Sequence, residues 1–358
     1  MPQRAFFATR RYNIISFLLT LPNKNFLKKI MRIEIFTSSD TMPELIEGSV
    51  LQSASIFRTI ENNRWCKPYM LVAYDDNGKE AGHLIVIKRK SLILLPPIIK
   101  SWYIINGEGV YSEDCTNREE IFAAFLEKVF DLFGFQHAYI KIHNIDDSRF
   151  AYGTLSSCNF VPIRDRKLHI SLHSKPPQER LSRAYKAHIR KAENMGVTYR
   201  QATSESDIAA GTALLRNYYR SKTRRTFPDA RTLDAMLYAP DGSISSNAKL
   251  FIVEYKGKTI GSSICIYDKG RAYLAYCCGL RKRYPLQYPG IMSIWAALTD
   301  AYNEGYPHFE FLEARGCSRI HYTFLNTLSN YGSKQTGTYR WYHFRWNWIN
   351  KILRAIYV

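Results

Sequence analysis

Along VAYDDNGKEAGHLIVI, from Val72 to Ile87, and again along VEYKGKTIGSSICIY, from Val253 to Tyr267, apolar residues lead into a polar turn and then into a second apolar run. The shared pattern is apolar-x-Tyr, turn, Gly-Lys-x-x-Gly, apolar strand. It predicts a β-hairpin at each place, with Gly78 and Gly257 in the turns and Gly82 and Gly261 at equal spacing beyond them. The downstream elements repeat as well. The first hairpin is succeeded by an apolar strand from Ser101 to Ile105, a loop through Glu108 and Gly109, a helix from about Asn117 to Phe133, and the strand GFQHAYIKIHN. The second is succeeded by RAYLAYCCG, a loop, a helix from about Gly290 to Asn303, and the strand GYPHFEFLEA. In that second helix Ile291, Ile294, Trp295 and Leu298 fall on one face. Each copy closes on a short helix and a segment ending in NFVPI or NYGSK.

The repeat predicts an α/β (α+β) protein of two tandem units, each a mixed, mostly antiparallel sheet flanked by helices. Lys175-Pro176-Pro177 breaks the chain between them. Beyond it come a basic helix from Leu181 that ends near Gly196, the strand VTYRQA, and a helix that begins at Glu205-Ser206-Asp207. The units are placed at residues 31–174 and 175–345, with 346–358 as a basic, aromatic tail. MRIEIF from Met31 reads as a first strand. Residues 1–30 read as a leader or as sequence ahead of a start at Met31, outside the fold.

Composition fits two globular domains in 358 residues, with 46% hydrophobic and 14% aromatic residues. No apolar run reaches the roughly 18 residues that would span a bilayer; the longest, Ser91 to Ile105, is interrupted by Pro96, Pro97 and Lys100. Seven cysteines without a CxxC spacing fit reduced thiols in a cytoplasmic protein and no zinc site. His169 and His173 are four apart in a strand, about 13 Å, too far to share a metal. The net charge of +19 is concentrated: residues 1–30 hold six basic residues and residues 314–358 hold seven, neither segment with an acid. A third basic stretch runs from Arg180 to Arg231. Such fields attract nucleic acid, phosphorylated cofactors or an anionic membrane.

The stretch LSRAYKAHIRKAENMGVTYRQATSESDI, followed by LFIVEYKGKTIGSSICIYDKGRAYLAYCCG, loop, helix and FEFLEARG, resembles the GNAT acyltransferase superfamily, and in particular its tandem branch, the Fem-type aminoacyltransferases and the BioF2-like acetyltransferases. The resemblance spans about Met31 to Phe344. It implies a donor whose diphosphate rests on backbone amides at a helix start, where the helix dipole favours negative charge. Here Cys278, Gly279 and Leu280 at the strand end, the cations Arg281, Lys282 and Arg283, and Gly290 and Ile291 at the helix start take that place. The first unit offers the acidic loop GEGVYSEDCTN instead, so the donor is assigned to the second. The usual Gln/Arg-x-x-Gly-x-Gly/Ala pattern is missing, and Pro285 and Pro289 stiffen the loop.

Transfer to an amine needs a group to take its proton and donors for the oxyanion. Alternation sets Glu310 on the face opposite Phe309 and Phe311, and Glu313, near the strand end, is the candidate acceptor-side carboxylate. Tyr322 and Tyr331 are candidate proton donors to the leaving group; Arg190, Lys191 and Arg315 are candidate substrate-binding cations. FLNTLSNYG lacks the Lys that related proteins carry there. Acyl-CoA is the expected donor, aminoacyl-tRNA the alternative, and an amine on a cell-envelope or polysaccharide precursor the expected acceptor. No metal and no DNA are expected. In TYRWYHFRWNWINKILRAIYV, Trp346, Trp348, Ile352 and Ile356 suit one face of an interfacial helix, consistent with a cytoplasmic protein touching the inner face of an anionic membrane. The rival reading is a catalytically degenerate pair that binds RNA or such a membrane.

Overall fold

The computed structural model describes residues 32–90, 101–134, 136–223, 227–312 and 327–358. In chain order the first half runs β1 (Arg32–Phe36), α1 (Ala54–Glu61), β2 (Cys66–Tyr74), β3 (Glu80–Lys90), β4 (Ser101–Asn106), β5 (Val110–Tyr111), α2 (Arg118–Leu132), β6 (His137–His143), α3 (Tyr152–Ser157) and β7 (Val161–Ser171). The second half runs α4 (Pro177–Arg180), α5 (Arg183–Asn194), β8 (Thr198–Gln201), α6 (Glu205–Tyr218), α7 (Ala230–Leu237), β9 (Ala248–Tyr255), β10 (Lys258–Asp268), β11 (Arg271–Gly279), α8 (Pro289–Asn303), β12 (His308–Phe311), β13 (Lys334–Phe344) and α9 (Asn347–Tyr357).

Both hairpins form where the polar turns predict them, and they share more than a turn. In the second, Tyr255 pairs with Lys258 across Lys256 (φ 49°) and Gly257 (φ 68°), a two-residue turn whose positive φ values match the twist of the strands. In the first, the Asp75 carboxylate accepts from the N–H groups of Asn77 (2.9 Å) and Lys79 (2.8 Å), and Gly78 takes φ 76°. Each turn leads into a β-bulge. Ala73 pairs with Gly82 and Tyr74 with Glu80; Val253 pairs with Gly261 and Glu254 with Thr259. The equal spacing of Gly82 and Gly261 therefore marks the same bulge in each copy.

The strands join into one sheet of order β1-β2-β3-β4-β6-β13-β7-β12-β11-β10-β9-β8, with β5 paired to β3. The β4–β6 and β11–β12 pairs are parallel, one in each half, and the other ladders are antiparallel. The two closing strands are exchanged. β13, the last strand of the chain, lies between β6 and β7, and β7 borders β12. Trp341 sits opposite both Ile142 and Pro162 and is wholly buried in the core of the first half, with Phe122, Phe125 and Leu155.

On the Trp341 side, α2 and α3 cover the first half, and α5 and α8 cover the second over Leu168, Phe251, Leu274 and Phe309. On the opposite side α1 packs on β2, while α6 and α7 pack on β9 to β11, and α1 touches α7. On this side the central strands set the buried polar residues Glu310, Asp165, His143 and Thr338 beside Ile163, Tyr342 and Phe344.

Trp341→Ala should remove a fully buried ring from a core built otherwise by the first half, at about 3–5 kcal/mol. Hydrogen exchange should then show lost protection in β6, far away in sequence; unchanged protection there would contradict the exchanged pairing.

Candidate functional site

The second half builds its candidate site where the end of β11 meets the start of α8. A Cβ placed on Gly279 would lie 2.2 Å from the Gly290 nitrogen, and one on Gly261 would lie 2.8 Å from the Pro289 carbonyl oxygen. Backbone thus packs on backbone, and only glycine permits it. Ser293 locks the junction by donating its hydroxyl toward the carbonyls of Cys278 and Pro289, each at 2.8 Å, and Ser263 donates to the Ser293 carbonyl at 2.7 Å. The Leu280 N–H bonds to the Ile260 carbonyl at 2.9 Å, which releases the chain into the exposed run Arg281, Lys282, Arg283.

At the helix start Tyr288 has φ 46°, Pro289 has no N–H, and the N–H groups of Ile291 and Met292 both bond to the Tyr288 carbonyl. The Gly290 N–H has no protein partner among the described residues. No acid stands in the first turn of α8. The equivalent helix of the first half, α2, opens with Glu119 and Glu120, which already satisfy its dipole. Its junction is also filled: β5 pairs with β3, and a Cβ on Gly82 would lie 2.6 Å from the Val110 carbonyl oxygen. Of the two junctions, the second faces outward with a positive field.

Helix α5 flanks that junction. His188 stacks on Tyr288 with ring centres 4.2 Å apart, and Tyr185 meets Tyr331 edge-on at 5.0 Å. Burial raises the Tyr185 pKa while the nearby Arg281 charge opposes the rise. Arg190 and Lys191 are exposed on α5. Ile291 is half-buried at the helix start, and Cys278 is buried, its thiol pushed up to about 12 by burial, so it is no nucleophile. Tyr331 is fully buried and donates its hydroxyl to the Ile291 carbonyl at 3.0 Å. Its place is therefore under the helix start, which it braces. Glu313, Arg315 and Tyr322 lie outside the described residues.

Between the halves, on the face of the central strands opposite Trp341, runs a charged network. Glu310 on β12 is buried and accepts from Arg271 on β11, with Lys167 of β7 at 3.5 Å. Arg271 also reaches Asp146, at 3.5 Å, in the loop after β6. Farther along, Arg340 of β13 donates to Asp165 of β7 at 2.6 Å, with His143 at 3.8 Å. His308 lies beside both His169 and His173, with ring centres 6.3 and 5.8 Å apart, and burial lowers the pKa of His169 and of His308. Among the described residues no group of His, Cys, Asp and Glu is arranged to hold a metal ion. Next to Asp146, Glu108 accepts from the N–H groups of Ile145, Asp146 and Asp147 at 2.8, 3.1 and 3.2 Å.

Residues 179–318 match the family model of the acetyltransferase (GNAT) domain. The chain carries a GNAT acyltransferase domain. Over most of its length the fold is similar to FemX, at 11% identity and a TM-score of 0.64, covering 91% of this chain and 99% of that one. It is similar to L-PGS from Bacillus licheniformis, at 10% identity and 0.52, covering 83% and 90%. A tandem GNAT protein from the clavulanic acid biosynthesis pathway aligns at 10% identity and 0.50, covering 87% and 98%. At these identities the likeness is one of fold. No curated protein matches the sequence.

Within the GNAT domain, β11 carries a bulge at Ala275, where the register moves from Leu274 opposite Cys265 to Tyr276 opposite Ile264. Tyr276 there packs against Tyr219 and Phe227, at 5.7 and 5.0 Å, and Tyr219 begins a π-helical turn. Neither the bulge nor the network was legible in the sequence. Arg271 and Glu310 meet because Tyr273 and Glu310 pair in parallel, a register that no local pattern reports.

Two measurements probe this geometry. Gly279→Ala forces α8 off the strand end and should destabilise the fold by about 1–3 kcal/mol in thermal unfolding. Burial, with Asp146 adding, raises the Glu108 pKa from 4.5 to about 7 against the pull of its three amides. The folded state then holds a proton that the unfolded state has lost between those values. Stability from this group is complete below about 4.5 and declines, by up to about 3 kcal/mol, as pH rises through about 7. Glu108→Gln should flatten that decline in a series of melting curves.

Proposed function

We propose that the GNAT domain transfers an acyl group from an acyl-CoA to an amine on a cell-envelope or polysaccharide precursor. The observation that carries the donor assignment is the α8 start. Its first turn is free of acid, its Gly290 N–H is unengaged among the described residues, and Arg281 to Arg283 stand before it. An acyl-CoA diphosphate seated there would aim its thioester along the end of β11. The amine attacks the carbonyl carbon, the C–S bond breaks, and the thiolate leaves with a proton. From the sequence we assign Glu313 the acceptor-side carboxylate and Tyr322 the proton donor to sulfur, with Arg190, Lys191 and Arg315 as substrate-binding cations. Tyr331 acts by holding the Ile291 turn in place.

One observation favours a second donor, an aminoacyl-tRNA. Tyr288 and His188 stack beside the helix start, and the loop before it keeps Gly290 alone of the usual glycines, which narrows the room for a diphosphate. The basic residues of α5 would then meet RNA phosphates.

Thermal unfolding with coenzyme A and acetyl-CoA separates the two donors. At about a hundred times its dissociation constant a ligand stabilises by about 2.7 kcal/mol, a shift of a few degrees for a chain of this size. The expected result is a saturable shift that is lost in Arg281→Glu with Arg283→Glu. A shift with aminoacyl-tRNA alone would replace the coenzyme, and none with either would leave the degenerate binding pair.

A further inference from the structure

Helix α9 has two faces with different fates. Its inner face is fastened to the sheet: the buried Asn350 side chain accepts from the Phe344 N–H and donates to the Phe344 carbonyl, each at 2.8 Å. Arg354 donates to the Ser156 carbonyl at 3.2 Å, and Asn159 donates to Asn347 at 3.0 Å. Its outer face is an apolar stripe. Trp348, Ile352 and Ile356, spaced by four, are 62%, 49% and 64% exposed. Trp346, which the sequence pattern placed on this face, is the half-buried cap residue of the helix and leaves the stripe to the other three. Large apolar side chains held in water by a well-pinned helix call for a partner.

Charge narrows the choice. Lys351 stands exposed among the stripe residues, and no acid occurs from residue 314 to 358. A second copy is a poor partner. The helix is roughly 16 Å long, so its stripe falls well short of the roughly 800 Å² per side of a stable interface, and self-pairing would set Lys351 against its own copy. A single-stranded nucleic acid would use the cations and stack on Trp348 but leave Ile352 and Ile356 in water.

We propose that this outer face of α9 docks on the surface of an anionic lipid bilayer, with Trp348, Ile352 and Ile356 in the headgroup boundary and Lys351 among the lipid phosphates. Because Asn350 fixes α9 to β13, docking would hold the whole sheet in one orientation on the membrane. The binding is independent of the acyl donor.

Vesicle co-sedimentation of the full chain tests it, with phosphatidylcholine alone and with about one third phosphatidylglycerol added. The protein should sediment with the anionic vesicles, less so as salt rises. Ile352→Glu with Ile356→Glu should lower partitioning by at least about tenfold, and Lys351→Glu by about fivefold. These positions are exposed, so melting temperature and the response to coenzyme A should stay as in the parent chain, which keeps this test separate from that of the donor site. Three results would overturn the proposal: no binding to anionic vesicles, equal binding by the double variant, or a dimer of the parent chain that the double variant abolishes.

Discussion

The backbone ladders on the two edges of β13 hold the molecule together. Along one edge the strand pairs with β7 from Lys334 opposite His169 to Tyr342 opposite Val161; along the other it pairs with β6 from Arg340 to Phe344. Take that strand away and the continuous sheet falls into two, each with an open edge of unpaired N–H and C=O groups. The ladder also delivers side chains. It buries Trp341 in the first-half core, and it brings Arg340 to Asp165 and Thr336 to His169, so that part of the central polar strip exists only in the joined sheet.

The two halves show how one supersecondary plan can be kept or spent. Each has the hairpin, the bulge before the second glycine, a parallel strand pair and a helix between the strands of that pair. In the first, β5 occupies the junction and acids sit on the helix start. In the second, the backbone of α8 lies directly on Gly279, and basic residues lead into it. The difference is electrostatic as much as steric: a diphosphate meets like charge at α2 and opposite charge at α8.

Local pattern made the hairpins, the helices and most element bounds readable, because turn chemistry and the 3.6-residue period act between near neighbours. RAYLAYCCG is β11, and the helix expected from about Gly290 begins one residue earlier because Pro289 fills a first-turn position that needs no N–H. The basic α5 and its end near Gly196 were equally plain. The exchange of β7 and β13 was hidden, since the two strands are equivalent in pattern and nothing within either one names its neighbour. The same holds at the site. The loop cations and Gly290 were visible as residue types, whereas the seating of Gly279 on Gly290, the turn of Tyr331 beneath Ile291 and the pairing of Glu310 with Arg271 depend on contacts between distant segments.

The position of β13 also sets an order of events during synthesis. β6 and β7 emerge from the ribosome early, yet the strand that separates them comes only after β12 and the whole of α8. Until then the nascent first half must carry two unsatisfied strand edges and a core that lacks Trp341, a state prone to pairing with the wrong partner. Completion of the sheet is therefore a late, long-range closure, slow by its topology.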